Sequence, residues 1–169
     1  MLMKRTVRGF TLIEVLVAVV VVSLGMLGVA GTLLTATRSS TSNYLKQQAV
    51  QYAYDIVDRM RANDTIATQT GAGANPYVVA LVAPGAEPTP ICEAALCSAT
   101  QMGAFDTWEW QTLVHKNLPN GEGSVVVTAG TGGLATTTVT VTVQWSDQPA
   151  QAVFNAAIAP VQYTVVTAL

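Results

Sequence analysis

Arg8-Gly9-Phe10-Thr11-Leu12-Ile13-Glu14-Val15-Leu16 opens a long hydrophobic run only a few residues into the chain. Leu2 to Gly9 carries Lys4, Arg5 and Arg8, whereas positions 15 to 37, 23 residues, carry no charge. That length and polarity suit a membrane-spanning helix, with Val15, Leu16, Val19, Val22, Leu24 and Leu27 among its transmembrane side chains. Basic residues before the span and an acidic remainder after it predict a cytoplasmic N-terminus and an exported C-terminal part.

A secretory signal peptide has the same order of charge and hydrophobicity. Its apolar stretch is shorter, about 7 to 15 residues, and ends in a small-residue cleavage site. Here Ala18 and Ala30 offer weak small-residue sites, and no convincing A-x-A follows the run. Glu14 argues further for a retained helix, because a carboxylate inside an apolar segment is costly and needs a partner. An α-amino group on Phe10 of a neighbouring chain would be one; the alternative is a glutamate snorkelling to the membrane surface.

Gly9-Phe10-Thr11-Leu12-Ile13-Glu14 resembles, over its whole length, the class III signal of type IV prepilins and pseudopilins. The resemblance implies that a prepilin peptidase cuts between Gly9 and Phe10 on the cytoplasmic side and methylates the new Phe10 amine. The apolar helix then stays on the mature protein. It also implies that Glu14, the fifth mature residue, neutralises the N-terminal amine of an adjacent subunit during assembly. Opposite charges in a low-dielectric helical core attract strongly, while each alone is penalised. Major pilins of this family carry a helix-kinking proline at the twenty-second mature position, which here is Gly31.

The 169 residues, 50 % hydrophobic and 11 % charged, suffice for one span and one modest exported domain. Loss of residues 1 to 9 leaves five basic against ten acidic side chains, a balance of −5. Beyond Ala62, Lys116 faces Asp64, Glu87, Glu93, Asp106, Glu109, Glu122 and Asp147. Phosphate binding needs clustered Lys or Arg, so no nucleic-acid partner is expected. His115 stands alone, the acids are dispersed, and no nucleophile, metal or phosphate-binding pattern is assembled. Neither enzymatic activity nor a cofactor is expected.

The apolar run continues without proline into an amphipathic pattern. Leu45, Ala49, Ala53, Ile56 and Met60 recur at helical spacing, with Lys46, Asp55, Asp58 and Arg59 largely off that stripe. One helix from Phe10 to about Ala62 is predicted, its second half packed against the head. Gly25, Gly28 and Gly31 mark either a zone where the helix bends or packs closely, or the ordinary glycine content of membrane helices.

Composition then turns to Thr, Ala, Gly and Pro. Thr68–Pro76 and Pro84–Pro90 read as loops, with a short edge strand over Tyr77–Val82 between them. Cys92 and Cys97, in an exported domain, are expected to form a disulfide clipping a small loop; a metal pair lacks further ligands. Met102–Leu118 is predicted helical, stopped by Leu118-Pro119-Asn120-Gly121. Trp108 and Trp110 lie about 200° apart on such a helix and cannot share one core. Either one meets a loop or a partner, or both are covered within the domain. Ser124–Thr128 reads as a strand, and Thr138–Trp145 alternates strictly, placing Val139, Val141, Val143 and Trp145 on one face toward the helix. The glycine-rich link Ala129–Ala135 would close a hairpin, and Gln162–Leu169 would add a last strand.

Cys92 to Cys97, Asp106-Thr107-Trp108-Glu109-Trp110 and Leu118-Pro119-Asn120-Gly121-Glu122-Gly123 resemble the head of the PilV family of type IV pilus modification proteins, which are minor pilins. The C-terminal cysteine pair of major pilins is absent here.

The expected fold is α+β, a type IV pilin: a long N-terminal helix packed on a C-terminal antiparallel sheet. The expected parts are a leader (1–9), a transmembrane or filament-core helix half (10–37) and an exported head (38–169). The resemblance implies a minor pilin that primes assembly or sits at the tip. Its implied partners are prepilin peptidase, other minor and major pilins, and the inner-membrane pilus assembly platform. The implied location is the inner membrane, single-pass with a periplasmic head, and then the pilus. A type II secretion pseudopilin shares the signal and is the alternative; an adhesin or DNA-binding pilin fits the charge less well.

Overall fold

The computed structural model describes residues 9–70, 75–130, 136–147 and 159–169. Its elements are α1 (Leu12–Ala62), α2 (Asp64–Ala67), β1 (Val79–Val82), α3 (Ala99–Asn117), β2 (Glu122–Thr128), β3 (Thr138–Trp145) and β4 (Val161–Ala168). The chain divides into two compact units, Met1–Ser40 and Thr41–Leu169. The predicted leader lies outside the described residues except for Gly9, as do residues 71–74 of the first loop and 131–135 of the hairpin link.

The first unit is helix. α1 runs unbroken through Gly25, Gly28 and Gly31, and every described residue from Gly9 to Ser40 is exposed. One 18-residue window of α1 reaches a mean hydropathy of 2.7 with none of it buried, which makes the helix a candidate membrane span.

In the second unit the remainder of α1 buries the stripe read from the sequence, Leu45, Ala49, Ala53, Ile56 and Met60, together with Val57. Against it lies one antiparallel sheet of order β1-β2-β3-β4. The strict alternation of β3 does what a period of two requires: Val139, Val141, Val143 and Trp145 are buried, while the threonines between them are half-buried on the other face. β2 meets β3 without interruption from Glu122↔Gln144 to Thr128↔Thr138, and β3 meets β4 from Thr138↔Ala168 to Trp145↔Val161. β1 is the short edge strand predicted over Tyr77–Val82, but it starts at Val79. The Val78 N–H is taken by Asn75 O (3.0 Å), closing a turn over Pro76 and Tyr77 ahead of the strand.

α3 begins three residues earlier than its composition suggests. Ser98 and Gln101 form a capping box: Ser98 Oγ accepts from Gln101 N (3.3 Å) and Gln101 Oε1 accepts from Ser98 N (2.9 Å). The far end stops where expected. Asn120 adopts φ 51°, a left-handed conformation that asparagine tolerates. Gly121 follows, and a Cβ there would stand 2.3 Å from Val114 O. One core joins Ile56, Met60, Tyr77, Trp110, Val114, Val125, Val141 and Trp145.

Candidate functional site

The signal residues sit at the start of α1. Thr11 O accepts from Glu14 N (3.1 Å) and Val15 N (3.4 Å), opening the helix immediately after Gly9 and Phe10. Phe10 is 81 % exposed and Glu14 lies in the first helical turn, with its side chain exposed. A carboxylate here complements the positive end of the helix dipole. Val15, Leu16, Val19, Val22, Leu24 and Leu27 are all exposed. Hydroxyls within the apolar run turn inward on their own helix: Ser23 Oγ donates to Val19 O (2.7 Å), Thr32 Oγ1 to Val29 O (2.8 Å) and Thr35 Oγ1 to Gly31 O (3.1 Å). Polar groups satisfied within the helix leave a surface able to enter hydrocarbon.

In the second unit the residues of the tryptophan motif separate by role. Trp110 is buried, and its Nε1 donates to Tyr52 O on α1 at 2.8 Å. Its ring occupies the space over Gly123, where a Cβ would come within 2.4 Å of it. Gln111 Nε2 ties α3 to the sheet through Gly123 O (2.9 Å) and Ala80 O (3.3 Å). Trp108 is half-buried, and its Nε1 donates to Gly85 O (3.2 Å) in the proline-rich loop. One tryptophan thus faces the core and the other a loop.

The acids of the same motif turn to α1. Arg59 bonds Asp55 (3.1 Å), Asp106 (3.5 Å) and Glu109. Burial lowers the affinity of this guanidinium for its proton, but the Glu109 hydrogen bond and the neighbouring carboxylates outweigh it and hold Arg59 above its ordinary value. Tyr77, buried, donates to Asp106 (2.8 Å) and accepts from Asn63 (3.2 Å). The one local sign of this polar cluster between α1 and α3 is the three-residue spacing of Asp106 and Glu109, which puts both on one helix face. Cys92 and Cys97 are joined, with Cα atoms 5.6 Å apart. Leu96 inside the clip is fully exposed.

Residues 4–30 match the prokaryotic N-terminal methylation motif, and residues 33–108 match the type IV pilin Tt1218 family. No curated protein and no solved structure matches the chain. Type IV pilins are structural subunits, and a prepilin signal implies peptidase processing and assembly with other pilins. The methylation-motif match thus covers the start of α1, and the pilin-family match runs from within α1 into α3, ahead of a sheet that makes the whole an α+β arrangement consistent with the type IV pilin fold.

Proposed function

We propose that the chain is a minor pilin of a type IV pilus, PilV-like, that takes part in priming the filament or sits at its tip. Residues 1–9 are its leader, 10–37 its membrane and filament-core segment, and 38–169 its exported head. Prepilin peptidase cuts between Gly9 and Phe10, and the new amine is methylated. Before assembly the protein crosses the inner membrane once, with its N-terminus cytoplasmic and its head periplasmic. It then passes through the assembly platform into the pilus, where Glu14 pairs with the amine of a neighbouring pilin.

The observation that carries this reading is the complete Gly9–Glu14 signal leading a helix whose apolar side chains up to Leu34 are all exposed among the described residues. Burying each of these side chains is worth about 1.5–3 kcal/mol, so lipid or other pilin helices must supply the cover. The narrower PilV-like reading rests on the sequence resemblance of Cys92 to Cys97, Asp106 to Trp110 and Leu118 to Gly123.

Intact-mass and N-terminal analysis of the membrane-extracted protein tests the processing step. The expected wild-type product begins with N-methylated Phe10, and Gly9→Ala is expected to keep residues 1–9. A mature-sized Gly9→Ala product would contradict the assigned cut. Sheared pili containing the protein, with unimpaired enzyme export after its deletion, distinguish a pilin from a secretion pseudopilin.

A further inference from the structure

The two edges of the sheet are built differently. β1 has four residues, its register with β2 shifts between Val79 and Val82, and Ala80 O is engaged by Gln111. β4 pairs with β3 along its whole length without a bulge, and Val161 to Leu169 contains neither proline nor a charged residue. Natural edge strands avoid uncontrolled pairing by being short, by bulging, or by carrying lysine or proline. β4 has none of these guards. Among the described residues no strand pairs with its outer side.

The direction of its backbone groups follows from one bond. Leu169 N donates to Thr137 O at 3.0 Å, and this pair continues the β3–β4 register. Hydrogen-bonded pairs alternate along an antiparallel ladder, so Val161, Tyr163, Val165 and Thr167 turn their N–H and C=O groups to β3. Those of Gln162, Thr164, Val166 and Ala168 point to the open edge. Val161, Tyr163 and Val165 also pack against the core, which holds the strand in place. Across the outer face Gln162 bonds Gln144 (2.6 Å) and Thr164 bonds Thr142 (3.2 Å). The edge is therefore fixed before any partner arrives.

We propose that the open edge of β4 receives an extended segment of another pilin subunit as a fifth strand, beside Gln162, Thr164, Val166 and Ala168. An alternating row of backbone donors and acceptors is matched only by another extended backbone. The uncharged edge selects an uncharged segment. The proposal rests on the reading of the chain as a pilin, which supplies the neighbour.

The test uses the full-length chain in cells assembling surface filaments. A benzophenone photo-crosslinking residue is placed at Thr164, on the edge, or at Ser124, in the same cross-strand row but on the interior strand β2. Adducts are identified by mass spectrometry, and the expected result is a different pilin captured at position 164 with little captured at 124. Val166→Pro removes an outward N–H and leaves the β3 bonds in place, and Thr164→Lys installs a guard. Each is expected to lower incorporation into sheared filaments about five- to tenfold, with head protease resistance retained. Should Val166→Pro unfold the head, Thr164→Lys decides. The proposal is overturned by the absence of a 164 adduct, by adducts with a second copy alone, or by wild-type incorporation of a folded edge variant. Absence of the wild-type chain from filaments would instead sink the pilin reading itself.

Discussion

α1 is one helix with two environments. Up to Ser40 its side chains, apolar almost throughout, are all exposed, whereas from Leu45 to Met60 a single stripe is buried against a sheet. A helix apolar on all sides suits a surrounding of lipid or other helices; a helix apolar on one side suits a core of its own chain. The second unit contains its own stabilising contacts. In the first, on the proposed function, cover comes from lipid or other pilin helices. Substitutions in the two units should therefore be read by different assays: stability for the head, assembly for the span.

The largest effect on stability is expected at Trp110. Trp110→Ala removes a fully buried ring and the bond to Tyr52 O, and should cost the head about 3–5 kcal/mol in denaturant unfolding. A loss below about 1 kcal/mol would mean that the head does not depend on this anchor between α3 and α1.

Tyr77 gives an intermediate, pH-dependent effect. Burial, reinforced by the hydrogen bond to Asp106, raises its phenol above the ordinary value of 10.0. The folded state therefore keeps a proton that the unfolded state releases first. Its contribution is complete below pH 10 and declines as pH rises above it, by at most about 1.4 kcal/mol per pH unit. Tyr77→Phe should flatten that alkaline decline in thermal unfolding; an unchanged slope would remove Tyr77 as its source.

The smallest effect on the head belongs to the span. Leu24→Ala removes a side chain that is 65 % exposed, and it should shift head unfolding by less than about 0.5 kcal/mol in detergent. A shift comparable to that of Trp110→Ala would erase the distinction between the units.

The same division explains what was legible in the sequence. The span, the buried stripe of α1 and the alternation of β3 are periodic and local, so each could be read before the structure. The start of α3 is set by the Ser98-x-x-Gln101 box directly after Cys97, three residues ahead of Met102, where the helix-compatible composition begins. The pairing of Arg59 with Asp106 and Glu109 joins residues 47 and 50 positions apart, which no local pattern encodes. Gly123 lies just before the strand read from the sequence as Ser124–Thr128, yet it belongs to β2, where the Trp110 ring fills the space a Cβ would occupy. Gly9, Phe10 and Glu14 were legible for another reason: the motif is contiguous, and its exposed residues have few contacts that tertiary structure could reveal.

The central claim is that the span is completed by other subunits through Glu14. Its most direct test compares Glu14→Ala with wild type in the membrane fraction and in sheared pili of the same cells. The expected result is an undiminished, processed membrane pool with the variant lost from pili; wild-type incorporation of Glu14→Ala would contradict the account.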